Sequence, residues 1–274
     1  MRIAYITDLH GFKPGYEAVL NYALRQDIKI IHLGADILPK GSGILSAQKD
    51  FVKKYLKEYY KRAANAGITL LAFFGNDDLY TRKKYFREYG TLLDEVPQEI
   101  EGYSFQAYGF CPDYPFGLKS ACKYDSVGWR PEPYISTPVE ATEEGLVPIL
   151  DVKSYFEAKG TIKNDMDAIK GHDKLIMACH CPPSGLGLDV CLDGREVGSD
   201  SIRRWIVDQK PLLVLSGHIH EAPLKTHRWE SKLGPTLVIQ PGQYVKDISN
   251  NVSFVDIEIK GNEITTYHIE KRVL

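Results

Sequence analysis

Residues 212–220 read Leu-Leu-Val-Leu-Ser-Gly-His-Ile-His, a short apolar run that ends in a glycine and two histidines. A run of this length and composition predicts a buried β-strand. The polar residues that follow it predict a functional site, because α/β proteins place their sites at the carboxyl ends of strands. Residues two apart in an extended segment point the same way, so we expect His218 and His220 to share one face.

The same pattern, an apolar run that ends in polar residues, occurs four more times along the chain. The apolar runs cover residues 2–7, 29–33, 68–74 and 174–178. Imidazole and carboxylate groups together are typical ligands of transition metals and manganese. If the chain stays extended after the first run, Asp8 and His10 also share one face. The polar signatures are, in chain order, Asp8-Leu9-His10, Gly34-Ala35-Asp36, Gly75-Asn76-Asp77-Asp78 and His180.

Helix-like segments separate these apolar runs, and this alternation favours a layered α/β architecture. Apolar residues at helical spacing predict helices over residues 16–25, 46–66, 81–89, 151–169 and 201–208. Further strands are expected over 104–110, 236–239, 253–259 and 264–269, with Gly261 and Asn262 turning the last two into a hairpin. Because no linker or internal repeat interrupts the pattern, we expect one domain over residues 1–274.

Residues 111–150 break this rhythm and are rich in proline and aromatic residues. A long segment without its own periodicity is typical of a functional loop, so we expect a lid-like insertion, with a surface excursion as the alternative. Its side chains could stack on a base or an aryl group, and an arginine further along could contact phosphate. Surface packing is the competing interpretation for all of these residues: Tyr114, Phe116, Lys119, Tyr124, Trp129, Arg203 and Arg204.

The composition is that of an ordinary soluble globular protein, with 43% hydrophobic residues in 274 and a net charge of −2. No apolar stretch approaches the ~20 residues that a membrane-spanning helix needs. The near-neutral charge, without blocks of like charge, argues against a dedicated duplex-DNA surface. Five cysteines without a Cys-x-x-Cys pair indicate a reducing, cytoplasmic setting. We expect Cys179 and Cys181 to pack away from His180, and His32 to be a core residue.

Taken together, the polar signatures resemble the calcineurin-like metallophosphoesterase superfamily. That superfamily has the ordered pattern Asp-x-His, Gly-Asp, Gly-Asn-His-Asp/Glu, His and Gly-His-x-His. The resemblance implies two facing β-sheets flanked by helices, with a binuclear metal centre between them. It also implies that Asp8, His10 and His220 bind one metal ion, that Asn76, His180 and His218 bind the other, and that Asp36 bridges both.

Two positions depart from the superfamily pattern. The Gly-Asp step is one residue longer here, as Gly34-Ala35-Asp36, and Asp77 stands where the superfamily has a histidine thought to protonate the leaving group or to hold the phosphate. Two neighbouring cations would favour the ionised form of Asp77, which makes it a poor proton donor and predicts a bias toward good leaving groups. Alternatively, Asp77 turns away from the site and accepts a hydrogen bond from a loop amide.

The function expected from this resemblance is hydrolysis of a small or nucleotide-like phosphodiester or phosphomonoester by a metal-bridging hydroxide. Two divalent ions are expected, with Mn favoured over Fe or Zn. The alternatives are a protein-interaction scaffold that keeps the fold with little or no activity, and a nuclease of the same superfamily. We expect a small-molecule phosphate ester as partner, neither a membrane nor nucleic acid, and homo-oligomers are possible.

Overall fold

The computed structural model describes residues 1–243 and 251–273. The first of its two large sheets has a parallel core with an antiparallel hairpin at one edge. Its strands are β1 (Arg2–Ile6), β2 (Ile30–Leu33), β3 (Thr69–Ala72), β14 (Asn251–Lys260) and β15 (Glu263–Arg272). They lie in the order β15-β14-β1-β2-β3. The hairpin expected at Gly261 and Asn262 is therefore confirmed.

The second sheet repeats this plan with four central parallel strands and one antiparallel strand at each edge. Its strands are β4 (Gln98–Ile100), β5 (Tyr103–Tyr108), β10 (Leu175–Cys179), β11 (Leu213–Ser216), β12 (Glu230–Leu233) and β13 (Thr236–Ile239). Their order is β12-β13-β11-β10-β5-β4. The edge strands β4 and β12 were not expected from the sequence, because both are short and only partly buried.

Helices cover the outer faces of both sheets. They are α1 (Lys13–Gln26), α2 (Ile44–Asp50), α3 (Lys57–Asn65), α4 (Lys83–Phe86), α5 (Val152–Lys159), α6 (Ile162–Ala168), α7 (Asp200–Gln209) and α8 (Ala222–Thr226). A π-helical turn over Phe51–Leu56 joins α2 to α3, and a 3₁₀ turn over Tyr80–Arg82 precedes α4. Among the residues that the structure describes, no helix has the length and apolar character needed to cross a membrane.

Alternate side chains of the central strands enter different cores, which explains why these strands read as continuous apolar runs. In β1, Ile3 and Tyr5 pack between the two sheets, whereas Ala4 and Ile6 pack under α1 and α3. A third apolar cluster lies between the second sheet and the helices α5, α6 and α7. A strand buried on both faces has no polar alternation, as is usual for parallel sheets. The expected fold class, two facing sheets flanked by helices, is confirmed.

Two helix predictions need correction. The helix expected over 151–169 is two helices, because Gly160 adopts a φ of 72° between α5 and α6. The helix expected over 81–89 is reduced to the four residues of α4 and ends at Phe86. In both cases helical spacing of apolar residues continues past the point where the backbone turns, and periodicity alone does not locate that turn.

The insertion at 111–150 contains two small strand pairs: β6 (Cys111–Pro112) with β7 (Cys122–Lys123), and β8 (Val139–Ala141) with β9 (Leu146–Pro148). Lys119 is fully buried there, and its Nζ lies 2.7 Å from Asp113 Oδ1. The expectation that Lys119 could meet a ligand is therefore wrong, because the ion pair holds it inside the insertion.

Candidate metal centre

The expected ligand residues converge at the carboxyl ends of five parallel strands, three from one sheet and two from the other. Because both sheets point these ends to the same edge of the sandwich, loops far apart in sequence meet there. Asp8 and His10 follow β1, and Asp36 and Asn76 follow β2 and β3. From the second sheet, His180 follows β10, and His218 and His220 follow β11.

Asp8, His10 and His220 form what we term the outer group. One potential ligand atom from each lies within 4.8 Å of the others. The Nε2 atoms of His10 and His220 are 3.2 Å apart, and His220 Nε2 is 3.4 Å from Asp8 Oδ1. The side chains of His10 and His220 are 11% and 18% exposed, so this group can be reached from solvent.

Asp36, His180 and His218 form the inner group, whose potential ligand atoms also lie within 4.8 Å of one another. His180 Nε2 is 3.5 Å from Asp36 Oδ2, 3.2 Å from His218 Nδ1 and 2.7 Å from the side-chain oxygen of Asn76. Asp36 Oδ2 is also 3.9 Å from His10 Nε2, a member of the outer group. A single carboxylate therefore lies between the two groups.

The backbone around these residues differs from the extended form that the sequence suggested. Asp8, His10, Asp36 and His218 all have positive φ, at 56°, 44°, 53° and 69°. Asp and His are among the non-glycine residues that tolerate this region best. The prediction that Asp8 and His10, and likewise His218 and His220, share a face of an extended segment is therefore wrong, because these segments are not extended. Left-handed turns after the strands bring these side chains together.

Two glycines of the signatures allow the loops to approach the carboxylates closely. A Cβ atom on Gly217 would lie 2.4 Å from Asp8 Oδ2, and one on Gly75 would lie 2.4 Å from Asp36 Oδ1. Real Cβ contacts are essentially never this short, so any other residue at these positions would push the carboxylate away. The glycines of Gly-His-x-His and Gly-Asn are thus explained by space around Asp8 and Asp36.

Burial raises the pKa of the carboxylates, whereas the neighbouring histidines lower it. For the histidines, burial lowers the pKa and neighbouring carboxylates raise it, and the net shift differs from one histidine to the next. Burial opposes the ionisation of Asp8, but His220 and His180 outweigh it and lower the pKa of Asp8 to about 2. Asp36 is likewise buried, yet His180 and His10 hold its pKa far below the usual range. Burial lowers the pKa of His10 and of His218 to about 3. For His180 burial also acts downward, but Asp36 outweighs it and raises the pKa to about 9.

The donor set fits divalent metal ions. Imidazole nitrogens face each other at 3.2 Å in both groups, and buried carboxylates lie beside them. A neutral imidazole has a lone pair on its unprotonated nitrogen. Two such nitrogens that face each other are best matched by a cation that both can bind. Asn76 adds an amide oxygen, which ligates without adding negative charge. Carboxylate, amide and imidazole donors together suit Mn, Fe or Zn.

Asp77 faces the site instead of turning away to a loop amide. Its Oδ2 lies 3.7 Å from His10 Nδ1 and 3.6 Å from Lys40 Nζ, and its Oδ1 accepts a hydrogen bond from Asn76 Nδ2 at 3.1 Å. Burial and the charge of Asp36 raise the pKa of Asp77 to about 6. Two cations bound beside Asp77 would oppose this shift, because they favour its ionised form.

Three residues beside the centre were not assigned a role from the sequence. Asp78 accepts hydrogen bonds from the backbone N–H groups of Leu38 at 2.7 Å and of Gly75 at 3.0 Å, which ties the β2 and β3 loops together. Gln48, in α2, joins the same two loops through the carbonyls of Pro39 and Asp77. Lys40 lies with Nζ 3.0 Å from His10 Nε2. Asp78 stands within a quoted signature, whereas no local pattern marks Gln48 or Lys40.

The other sequence candidates mostly pack within the protein. The Tyr114 ring stacks on His218 at 5.1 Å between centroids, and its hydroxyl donates to the Val197 carbonyl. Tyr124 stacks on Phe156, and Arg203 donates to the Ser184 carbonyl. As expected, Cys179 and Cys181 lie in the apolar cluster behind His180 and His32 is buried in the core, so their packing is confirmed.

Comparison with known proteins identifies the family. The family model for calcineurin-like phosphoesterases matches residues 1–222, and the chain therefore belongs to this family. None of the curated proteins matches the chain. The resemblance noted in the signatures is thus confirmed over most of the chain.

Solved structures share the fold at low sequence identity. One crystal structure superposes with a TM-score of 0.61 at 14% identity, over 97% of this chain and 98% of its own. The protein TT1561 of Thermus thermophilus gives 0.54 at 16% identity, over 97% of both chains. An archaeal phosphodiesterase reaches only 0.45 at 13% identity, over 98% of this chain and 100% of its own, which is too low to support an inference. Likeness at these identities concerns the fold alone.

Proposed function

We propose that this protein is a phosphoric ester hydrolase that depends on two divalent metal ions, with Mn favoured. Its substrate is a small or nucleotide-like phosphomonoester or phosphodiester. The observation that carries the proposal is the position of Asp36, whose Oδ2 lies 3.5 Å from His180 in the inner group and 3.9 Å from His10 in the outer group. A carboxylate shared by two histidine groups is the arrangement needed to hold two cations side by side.

In this proposal each group of residues holds one ion. Asp8, His10 and His220 bind the first, Asn76, His180 and His218 bind the second, and Asp36 binds both. When bound, the two ions supply Lewis acidity toward the phosphoryl group and a water activated for attack. The protein keeps Asp8 and Asp36 ionised through their histidine neighbours, so both carboxylates are ready to bind cations.

The protein also fixes these ligands before substrate arrives. Asp8 accepts hydrogen bonds from the backbone N–H of His218 at 3.1 Å, and Asp36 accepts one from the backbone N–H of Asp77 at 2.8 Å. Such hydrogen bonds orient a carboxylate for its metal, and changes in these supporting groups typically cost roughly 10–100-fold in affinity or activity. We therefore expect two cations to bind without rearrangement of these carboxylates.

The test is hydrolysis of a bis-aryl phosphodiester beside the matching aryl phosphomonoester. The protein is stripped with a chelator, Mn²⁺ is added back, and Asp36→Asn serves as the inactive control. We expect turnover that needs Mn²⁺ and that Asp36→Asn abolishes, while the ratio of diester to monoester hydrolysis assigns the substrate class.

A second candidate, a scaffold with little or no activity, is favoured by Asp77, which stands where the family has a histidine. If the wild-type protein hydrolyses neither ester with Mn²⁺, Fe²⁺ or Zn²⁺, the hydrolase proposal is wrong and the scaffold replaces it. We further propose a reducing, cytoplasmic setting, which is in keeping with five free cysteines, four of them buried.

A further inference from the structure

Lys40 is a cation at the open side of the centre for which the ligand assignment provides no role. Its Nζ lies 3.0 Å from His10 Nε2 and 3.6 Å from Asp77 Oδ2, and its side chain is 31% exposed. A lysine ammonium has three donors and no acceptor, so it can bind only groups that offer a lone pair.

The loop that carries Lys40 is fixed to the loop that carries Asp77. The fully buried side-chain amide of Gln48 donates to the carbonyl of Pro39 at 2.9 Å and to the carbonyl of Asp77 at 2.7 Å. Pro39 directly precedes Lys40, and the second carbonyl is that of Asp77 itself. The backbone segments that carry the two side chains are therefore held next to each other by a buried polar contact.

A metal ion and the Lys40 ammonium compete for the same lone pair of His10. The imidazole Nε2 has one lone pair, so it can serve either the cation of the outer group or the ammonium. Asp77 then remains as the protein partner of Lys40. Its carboxylate stays within ion-pair distance of the ammonium at 3.6 Å, which leaves the ammonium donors for an anion at the centre.

We propose that Lys40 binds a phosphoryl oxygen of the substrate and that Asp77 is the positioning residue for it. Asp77 is the residue that stands where the family pattern has a histidine. This inference rests on the proposed phosphoesterase function and adds to it a substrate-contacting cation from a loop that no signature covers.

The experiment compares Lys40→Ala with Lys29→Ala, a matched control at the opposite end of β2. Lys29 also pairs with an aspartate, since its Nζ lies 2.6 Å from Asp27 Oδ1, so both variants lose one lysine and one ion pair. Calorimetry measures Mn²⁺ binding to the stripped proteins, and then binding of inorganic phosphate to the Mn²⁺-loaded proteins. Melting temperatures confirm that each variant is folded.

We expect Lys40→Ala to bind phosphate roughly tenfold more weakly, as for the loss of a hydrogen bond between charged groups. Its Mn²⁺ affinity should be unchanged or higher, because a competing cation is removed. Lys40→Arg should keep most of the phosphate affinity, since it keeps the charge and the donors. Lys29→Ala should match the wild type in both measurements.

Asp77→Asn tests the positioning role by a double-mutant cycle. We expect it to weaken phosphate binding when Lys40 is present and to add no further loss in Lys40→Ala, because the two residues act as one unit. If Asp77→Asn lowers Mn²⁺ affinity instead, Asp77 is a metal ligand and the positioning role is wrong.

The outcomes separate this inference from the function on which it rests. If the wild type binds none of Mn²⁺, Fe²⁺ and Zn²⁺, the proposed hydrolase is overturned and the inference with it. If the wild type binds Mn²⁺ and phosphate but Lys40→Ala binds phosphate equally well, only the inference is overturned. Equal losses in Lys40→Ala and Lys29→Ala would also overturn it, because they would point to a general charge effect.

Discussion

The inner and outer groups of the centre contain the same kinds of side chain but have different surroundings. His180 of the inner group is fully buried, and His218 beside it is partly exposed and stacked by Tyr114. In the outer group the side chains of His10 and His220 are 11% and 18% exposed, and His10 also contacts the polar side chains of Lys40 and Asp77, which belong to neither group. The inner group is thus held by packing, and the outer group faces the solvent and the charged pair.

This difference divides the centre into a rigid half, the inner group, whose side chains are restricted by packing, and an open half, the outer group, which solvent can reach. A buried ligand set gains strength from the low dielectric around it but needs its charges paired at all times. A ligand set that is open to solvent can exchange water and substrate. Removal of one of its side chains should cost less stability. The variants below test whether this division holds.

The first comparison removes one histidine from each group, and the variant of the inner group, His180→Ala, should give the largest effect. His180→Ala leaves the buried carboxylate of Asp36 without its cationic partner, which should lower the free energy of unfolding of the stripped protein by about 3 kcal/mol or more. His220→Ala should cost less, because His180 remains as a second histidine that lowers the pKa of Asp8. Urea unfolding in the presence of chelator measures both, and equal losses would refute the division into a rigid and an open half.

Asp77→His, which restores the family residue on the open side, should change the leaving-group preference. A histidine can donate a proton to a poor leaving group, and such general acid catalysis is worth about 10²-fold or more. We therefore expect the turnover of alkyl esters to rise more than that of aryl esters. Rates for a matched alkyl and aryl pair check this, and an equal effect on both would contradict the bias toward good leaving groups that is expected from Asp77.

The pKa values of two buried histidines sharpen the comparison further. Asp36 raises the pKa of His180 to about 9, whereas His32 has no carboxylate among its described contacts and burial lowers its pKa to about 3. The unfolded chain protonates His32 near its ordinary pKa of about 6.5. Between about pH 6.5 and pH 3 the unfolded state thus binds more protons, and His32 makes the protein lose stability as pH falls.

His32→Leu should therefore flatten the stability profile of the stripped protein in this window, by at most about 1.4 kcal/mol per pH unit. The difference between the urea unfolding profiles of the variant and the wild type isolates this residue from the histidines of the centre. Parallel profiles from about pH 6.5 to pH 3 would contradict the effect of burial on His32.

The smallest effect is expected from Tyr114→Leu on the inner side. Loss of the ring that stacks on His218 should cost about 1 kcal/mol of stability. Because Tyr114 does not supply a ligand, Mn²⁺ stoichiometry should stay at two ions. Thermal unfolding and calorimetry check both points, and loss of one ion would mean that the stack is needed to hold His218 in place.

Much of this architecture could be predicted from local sequence. The apolar runs predicted the central strands of both sheets, because strands buried on two faces need continuous apolar residues. The weakest predictions were at the periphery. The edge strand β12 is only partly buried, and the break at Gly160 within 151–169 depends on a single backbone turn.

The candidate site divides in the same way. The family signatures indicated Asp8, His10, Asp36, Asn76, His180, His218 and His220 in advance, and the structure brings these residues together. Their backbone was predicted incorrectly, because the left-handed turns at Asp8, His10 and His218 arise where the loops of two sheets meet. Residue type identified the candidates, but the turns that aim them depend on distant neighbours.

The sequence by itself determined the order of the strands' polar ends, the kinds of ligand they carry and the family to which the chain belongs. Only the tertiary structure decided which residues surround each group. Lys40 and Asp77 are 37 positions apart, since 77 − 40 = 37, and neither periodicity nor a motif connects them. They become neighbours because the loops after two adjacent parallel strands emerge at the same edge, where Gln48 ties their backbones together. Side-chain pairing across such loops depends on packing, which no local stretch of sequence contains.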